Sequence, residues 1–443
     1  MTSGLGARTA TISFVTVAGL LLSGAAAAVP SASKYERPSP YTVPEAPPLC
    51  DAVACVHYVT ATDDAPPPTD ANGNGVPDEP EVVLAALQSA WLVEFGTLGF
   101  AAPPPDQGAG GDDRYDVYLE NRTGQAGGVT APELDLPAGN STSRIYLASN
   151  LSQILVGSQD LASVVAHELG HAAQFAVSSD SIGQRFFDES MATWLQEEVV
   201  PGSALDLVEA GQFATPDVPL DYNIGADELS FDAPVYAQWI FFDYLADRYG
   251  TQVIRQMLEA SRPPGVWEVT AMDSALRLHS SSLAKAYVGF AKAILDPRRS
   301  FGFKKKVPYQ AFADLKLGQR VSRSAKLDHL SHWRYSVKPR PGSRWRGQLH
   351  VKVKTARGFS GAVVASVMRG RKPPKHVSLT WSRKGVARGV VPLGGKRARS
   401  VMITLVNSSW KPSQCDQGTR YTCGGVFPED ATMFRVQVRA TRR

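Results

Sequence analysis

Two histidines one helical turn apart, with a glutamate beside the first, are the residues of this chain best suited to chemistry. Asp160-Leu-Ala-Ser-Val-Val-Ala-His-Glu-Leu-Gly-His-Ala-Ala-Gln-Phe175 reads as one helix, because Leu161, Val164, Val165, Leu169, Ala172 and Phe175 recur at helical spacing. On that helix His167 and His171 project from the same face, so two imidazole nitrogens converge on one ion, the geometry zinc asks of its first two ligands. Glu168, angled toward the open side, is placed to take a proton from a metal-activated water. A catalytic zinc site needs a third protein ligand. Glu189, 18 positions after His171, supplies it from a second predicted helix carrying Met191, Ala192, Trp194 and Leu195, and the loop Ser178–Arg185 permits the reversal. The blander reading, a surface helix with two unrelated histidines, fits poorly, since the chain has only eight histidines and these two sit in an otherwise apolar helix.

His167-Glu-Leu-Gly-His171 followed by Glu189-x-x-Ala192-x-Trp194 resembles the gluzincin metallopeptidases. Ala172, Gln174 and Phe175, with the run Glu189 to Val199, bring it nearest to secreted bacterial metallopeptidases related to the immune inhibitor A type. The motif-bearing likeness covers about 35 residues, with a looser one over roughly 50 to 300. The resemblance implies His167, His171 and Glu189 as zinc ligands and Glu168 as general base. Gluzincins also place a Tyr or His downstream of the third ligand to stabilise an oxyanion. Tyr236 is the candidate here, with Tyr222 behind it, although packing is the ordinary role of any one tyrosine.

The chain has 443 residues, 43% of them hydrophobic, enough for two or three domains with sizeable cores. Its formal net charge of +4 conceals an asymmetry. Residues 301–443 carry 31 Lys and Arg against 5 Asp and Glu, a balance of +26, whereas the remainder carries 15 against 37, a balance of −22. Four cysteines fall in two close pairs, Cys50 with Cys55 and Cys415 with Cys423, which favours two local disulfides over one zinc-binding cluster. Arg8, an apolar stretch from Thr11 to Leu22 and the small run Ala25 to Ala28 read as a secretory signal peptide cleaved near Ala28. No later segment is long and apolar enough to span a membrane, so a secreted, extracellular protein is expected.

Residues 29–49 read as a Pro-rich linker or short pro-segment. Val53–Thr60 is a candidate strand in which His57 is a strand histidine rather than a ligand. Asp70, Asn72, Asn74, Asp78 and Glu81, with Gly75 at the sixth place and the Val76 carbonyl at the seventh, follow the ligand order of an EF-hand-type calcium loop. Prolines exclude a normal incoming helix, Glu81–Phe95 makes the outgoing one, and a plain Asn-Gly turn is the competing reading. Strands are expected at Tyr115–Leu119 and Arg144–Ala148, and helices at Val235–Tyr249, Gln252–Ala260, Met272–Leu278 and Ser282–Leu295. Beyond Val307 short alternating runs describe a β-sandwich: Trp333–Val337, Gln348–Thr355, Ala362–Met368, His376–Trp381, Ser400–Val406 and Met433–Ala440.

The expected architecture is an α+β zincin-like catalytic domain, 50–300, followed by an all-β sandwich domain, 301–443. The expected function is a secreted zinc-dependent endopeptidase acting on a protein or peptide, with Zn2+ and Ca2+ as its metals. The alternative is a non-catalytic surface-binding protein with a structural or vestigial zinc site. The basic region is expected to meet an anionic cell-surface polymer or to dock on the acidic module. No nucleic-acid motif accompanies its charge.

Overall fold

The computed structural model describes residues 40–442 apart from 124–125, 156–159, 180–184, 206, 208–211, 214, 224–233, 304–308, 343–345, 360, 371 and 395–397. The signal peptide and most of the Ser178–Arg185 reversal lie outside the described residues. The chain is mixed α/β, with an all-β C-terminal region.

The N-terminal sheet contains β1 (Leu49–Cys50), β2 (Ala54–His57), β3 (Tyr115–Glu120), β4 (Gly128–Asp135) and β5 (Ser141–Ala148), in the order β1-β2-β3-β5-β4. Strands β2, β3 and β5 run parallel, while β1 and β4 are antiparallel to their neighbours. Parallel strands need cover on both faces, and β2 is buried throughout. Helix α1 (Asp78–Trp91) joins β2 to β3 and continues as a π-helical stretch, Leu92–Thr97. It starts earlier than the hydrophobic pattern suggests, because Pro80 sits in its first turn, where proline forfeits no helical hydrogen bond. A one-turn α2 (Leu151–Ile154) precedes α3 (Leu161–Phe175). Val83, Leu87 and Ala90 of α1 share a core with Val117 and Leu147 of the sheet and Val165 and Leu169 of α3.

Residues 40–49 are not the free spacer their prolines suggest. Tyr41 is buried with its hydroxyl 2.9 and 2.7 Å from the His57 and Leu119 carbonyls, positioned to donate to either, while Glu45 pairs with His57 Nδ1 (3.0 Å). His57 is a strand histidine, its Nε2 facing Asp116 at 2.9 Å.

The helices α4 (Arg185–Val199), α5 (Pro234–Ala237), α6 (Trp239–Tyr249), α7 (Gln252–Ser261), α8 (Glu268–Leu278), α9 (Leu283–Ala293) and α10 (Pro297–Ser300) build a second, aromatic-rich core. Phe187, Trp194, Trp239, Phe241, Phe242 and Phe290 are buried in it. The stretch 235–249 is two helices rather than one. The Phe241 N–H bonds to the Gln238 carbonyl three residues back (2.8 Å), which tightens the turn before α6 begins.

Beyond it, β6 (Gln310–Leu315), β7 (Arg320–Leu327), β8 (Ser331–Pro339), β9 (Arg346–Lys354), β10 (Gly361–Arg369), β11 (Lys372–Leu379), β12 (Val386–Gly394), β13 (Ser400–Asn407) and β14 (Thr432–Arg442) form two sheets, ordered β11-β10-β13-β8-β6 and β12-β9-β14-β7. Val351, Val353, Val363, Ile403, Leu405, Val436 and Val438 fill the space between them, the arrangement of a β-sandwich. Strands β9 and β14 alternate buried and exposed residues, so one face of the four-stranded sheet meets solvent. In β13 every residue after Ser400 is buried. Its outer face lies against the helical region, where Leu330 and Val406 join the aromatic core.

Polar contacts follow the same seam. The buried Arg334 donates to the Gln212 and Phe213 carbonyls (3.3 and 2.8 Å), and His329 lies between Asp221 and Asp430, 2.7 Å from each. Disulfides join Cys50 to Cys55 and Cys415 to Cys423. The second closes a loop whose Arg420 carbonyl accepts the Asn223 N–H at 2.7 Å, across the seam. Among the described residues no helix is long and apolar enough to cross a membrane.

Candidate metal centre

Helix α3 begins with a reciprocal cap: Asp160 Oδ1 accepts the Ser163 N–H (2.8 Å) and Ser163 Oγ accepts the Asp160 N–H (3.1 Å). The helix then runs beneath the sheet with its apolar stripe against it and His167 and His171 turned toward α4. Gly170 faces α4 so closely that a Cβ there would lie 3.2 Å from the Ala192 Cα. Two small residues thus let the helices approach and bring Glu189 to the histidine pair.

The three donor atoms form a nearly equilateral triangle. His167 Nε2 and His171 Nε2 are 3.2 Å apart, and Glu189 Oε2 lies 3.2 and 3.4 Å from them. Zinc bonds of about 2.0–2.1 Å in a tetrahedral arrangement place neighbouring ligand atoms roughly 3.3–3.4 Å apart. The spacing is therefore that of three corners of such a site, with the fourth left for water or substrate. Among the described residues this is the one group of three or more His, Cys, Asp or Glu with ligand atoms all within 4.8 Å of one another. The side chains are 11, 17 and 14% exposed, so each is largely buried without being sealed from solvent.

The surroundings orient these groups. His171 Nδ1 faces Gln174 Oε1 at 2.8 Å, and the Gln174 amide donates to the Asp188 carbonyl (2.8 Å). Proton donation from Nδ1 leaves the Nε2 lone pair aimed at the centre. Burial works against a charge on His171, but the hydrogen bond and charge of Glu189 outweigh it and push the imidazole up to about 10. The same pairing, acting against burial, holds the Glu189 carboxyl well below the usual carboxylate range. A cation bound between them would displace the proton that the pair otherwise shares.

Glu168 turns the other way, toward β4. Thr130 Oγ1 lies 2.8 Å from its Oε2 and 2.7 Å from its main-chain carbonyl, positioned to donate to either. Gly128 packs on it so tightly that a Cβ would sit 2.7 Å from Glu168 Cγ. Tyr236 also reaches the site, with its ring centroid 5.8 Å from that of His167. Ser190, next to Glu189, donates to the Val235 carbonyl and ties the Tyr236 turn to the Glu189 helix. Tyr222 is engaged elsewhere, against Tyr421 and the Arg420 guanidinium.

Sequence reasoning missed Thr130, Gly128 and the buried Glu94. Both Glu94 carboxylate oxygens lack a hydrogen-bond partner among the described residues. Burial pushes its carboxyl well above the ordinary range, and the nearby His171 charge acts in the opposite direction. It lies in the π-helical stretch that follows α1.

In the 70–81 loop Asp70, Asn72, Asn74 and Glu81 turn inward. Asp70 Oδ1 and Oδ2 accept the Gly73 and Gly75 N–H groups (2.8 and 2.9 Å), and the Asn72 and Asn74 amides donate to Glu81 (2.9 and 2.6 Å). Asp78 Oδ1 accepts the Ala71 N–H at 2.9 Å, and the Val76 N–H bonds to Asn74 Oδ1 at 2.8 Å. Gly75 has φ +87°, the left-handed turn expected at the sixth place. Oxygen donors are gathered on one exposed loop, the chemistry a hard cation accepts.

Fold and site together describe a mixed α/β chain with a two-sheet C-terminal region and a His-His-Glu cluster on paired helices. The chain belongs to a family of unknown function (DUF6055), whose model matches residues 78–338, from the start of α1 into β8. That span contains every member of the cluster. No curated protein matches the chain. Among solved structures, the pre-peptidase C-terminal domain of collagenase from Bacillus anthracis is 7% identical, over 30% of this chain and 100% of that one, with a TM-score of 0.20. PliG, a periplasmic inhibitor of g-type lysozyme from Salmonella Typhimurium, is 11% identical over the same shares, with a TM-score of 0.18. A family GH115 4-O-methyl-α-glucuronidase with specificity for decorated arabinogalactans is 9% identical over 62% of this chain and 41% of that one, with a TM-score of 0.15. Likenesses this slight carry no argument about activity.

Proposed function

We propose that the chain is a secreted zinc-dependent endopeptidase with a zincin-like catalytic half, in which His167, His171 and Glu189 hold the metal and Glu168 is the general base. The observation that carries this reading is the triangle of donor atoms with an oriented carboxylate beside it. A purely structural zinc site needs ligands and no base. When bound, zinc supplies Lewis acidity toward the scissile carbonyl and toward water. Glu168 takes a proton from the attacking water and passes it to the departing amine. Thr130 bonds the carboxylate on its β4 side, and Gly128 leaves room for it. Strand β4 is the edge of its sheet, so its outer main-chain groups are available to pair with an extended peptide beside the site. The resemblance of the His167–Trp194 segment to gluzincins of the immune inhibitor A type supports the same reaction. Two disulfides fit an oxidising, extracellular setting.

Tyr236 is assigned to the developing oxyanion, because its ring borders His167. Tyr236→Phe is expected to lower kcat on a peptide substrate by about tenfold or more with KM little changed; an unchanged kcat returns this tyrosine to packing. The 70–81 loop is assigned a structural calcium. In the mature chain from residue 29, a zinc-selective chelator is expected to abolish casein hydrolysis, with recovery on adding zinc. A calcium-selective chelator is expected to lower Tm while zinc stays bound. Casein cleavage unaffected by zinc removal overturns the peptidase assignment, and an unmoved Tm overturns the calcium one.

A further inference from the structure

We propose that the solvent-facing side of the four-stranded sheet β12-β9-β14-β7 binds a linear acidic polysaccharide. Residues that alternate outward on these strands include Arg320, Lys352, Lys354, Arg388, Arg435 and Arg439, and none is Asp or Glu. The register sets like charges directly opposite one another: Arg435 faces Lys354, Arg439 faces Arg320, and Arg388 faces Lys352. Such apposition destabilises a sheet. None of these six cations forms an ion pair with an acidic side chain among the described residues. A surface that keeps uncompensated charge in this order is organised for a multivalent anion.

The acidic helical region does not neutralise it. That region packs on the other sheet, through Leu330 and Val406, and leaves the four-stranded face outward. On this face Lys352, Lys354 and Arg435 line an open groove of about 450 Å³ together with Ser322, Ser324 and Gln437. The neutral side chains offer hydrogen bonds to hydroxyl groups between the charges. Facing cations stand about 5 Å apart across strands, and along them Lys352 and Lys354 are about 7 Å apart and Arg435 and Arg439 about 13 Å, an array that meets several charges of an extended polyanion at once. Single-stranded nucleic acid fits less well, because none of the outward residues is Phe, Tyr or Trp and bases would find no stacking platform.

The test measures binding of the mature chain from residue 29 to heparin, polygalacturonate, neutral dextran and an oligo-dT strand, from about 50 to about 500 mM NaCl. The expected result is retention by the two acidic polysaccharides at low salt, release as salt rises, and no retention by dextran. Lys352→Gln/Lys354→Gln/Arg435→Gln is expected to weaken binding by about tenfold or more with Tm unchanged or raised, since like-charge contacts are relieved. Lys338→Gln/Lys372→Gln/Lys375→Gln, which removes equal charge from the five-stranded sheet instead, is expected to weaken it less than about twofold. Equal losses from both triple variants, tighter binding of oligo-dT than of either polysaccharide, or no binding of the acidic polysaccharides overturns the proposal. The readout needs no turnover, so its failure leaves the zinc reading standing, and the reverse.

Discussion

Glu168→Gln is expected to keep zinc at the level of the parent chain and to lower kcat on casein by about two to four orders of magnitude. Glutamine matches glutamate in shape and leaves the triangle of His167 Nε2, His171 Nε2 and Glu189 Oε2 untouched. Its carbonyl oxygen can still accept from Thr130, so the side chain is expected to stay in place. What is lost is the ability to take up a proton. A variant that holds zinc and cuts casein at the parent rate would remove Glu168 from the reaction. A zinc-loaded parent that cuts nothing, with any pro-segment removed, would make the non-catalytic binding protein the working reading.

The largest expected effect on stability lies at the seam between the helical and β regions. His329 is fully buried, bonded to Asp221 on one side and Asp430 on the other, with its ring stacked on Phe427 at 3.4 Å. Burial alone would depress its pKa, but the charge and hydrogen bond of Asp221, joined by Asp430, push it up to about 9. His329→Leu leaves Asp221, itself fully buried, without its countercharge. Breaking a buried pair in this way is expected to cost about 3–5 kcal/mol. The pH dependence follows from the raised pKa. The folded state holds a proton that the unfolded chain releases above about 6.5, so the contribution is fully present below that pH and is lost as pH rises through about 9. His57, set between Asp116 and Glu45 and also pushed up to about 9, behaves in the same sense. Each shift corresponds to a contribution on the order of 3 kcal/mol. Melting curves at pH 6 and pH 9.5 are expected to show a lower Tm for the parent at the higher pH, and a smaller gap between parent and His329→Leu there. A gap that stays constant between the two pH values would show that His329 contributes only packing.

Much of the site was legible because its chemistry is written locally. His167, Glu168 and His171 fall within one turn and a half of helix, where periodicity places them, whereas Glu189 sits on the next helix and reaches the pair through the close packing of Gly170 on Ala192. Thr130 and Gly128 were not legible. They come from β4, whose Ala131-Pro132-Glu133 stretch breaks alternation and whose proline argues against a strand, and only pairing with β5 sets them over Glu168. The sandwich was readable where strands carry an apolar face, as in β9, β10 and β13. Strand β7 escaped because it is a sheet edge with mostly exposed residues, and its composition is that of a loop. The seam was invisible for a different reason. His329 meets residues about a hundred positions away on both sides, and nothing in a short window reports such a contact.

The shared core at that seam bears on how the molecule comes into being. Phe213, Trp239 and Phe290 are sealed in part by Leu330 and Val406, the latter near the end of β13. A growing chain thus presents His167, His171 and Glu189 long before the wall behind their helices exists. Until β13 has been synthesised and laid in place, the aromatic core on which the Glu189 helix packs remains open at its back.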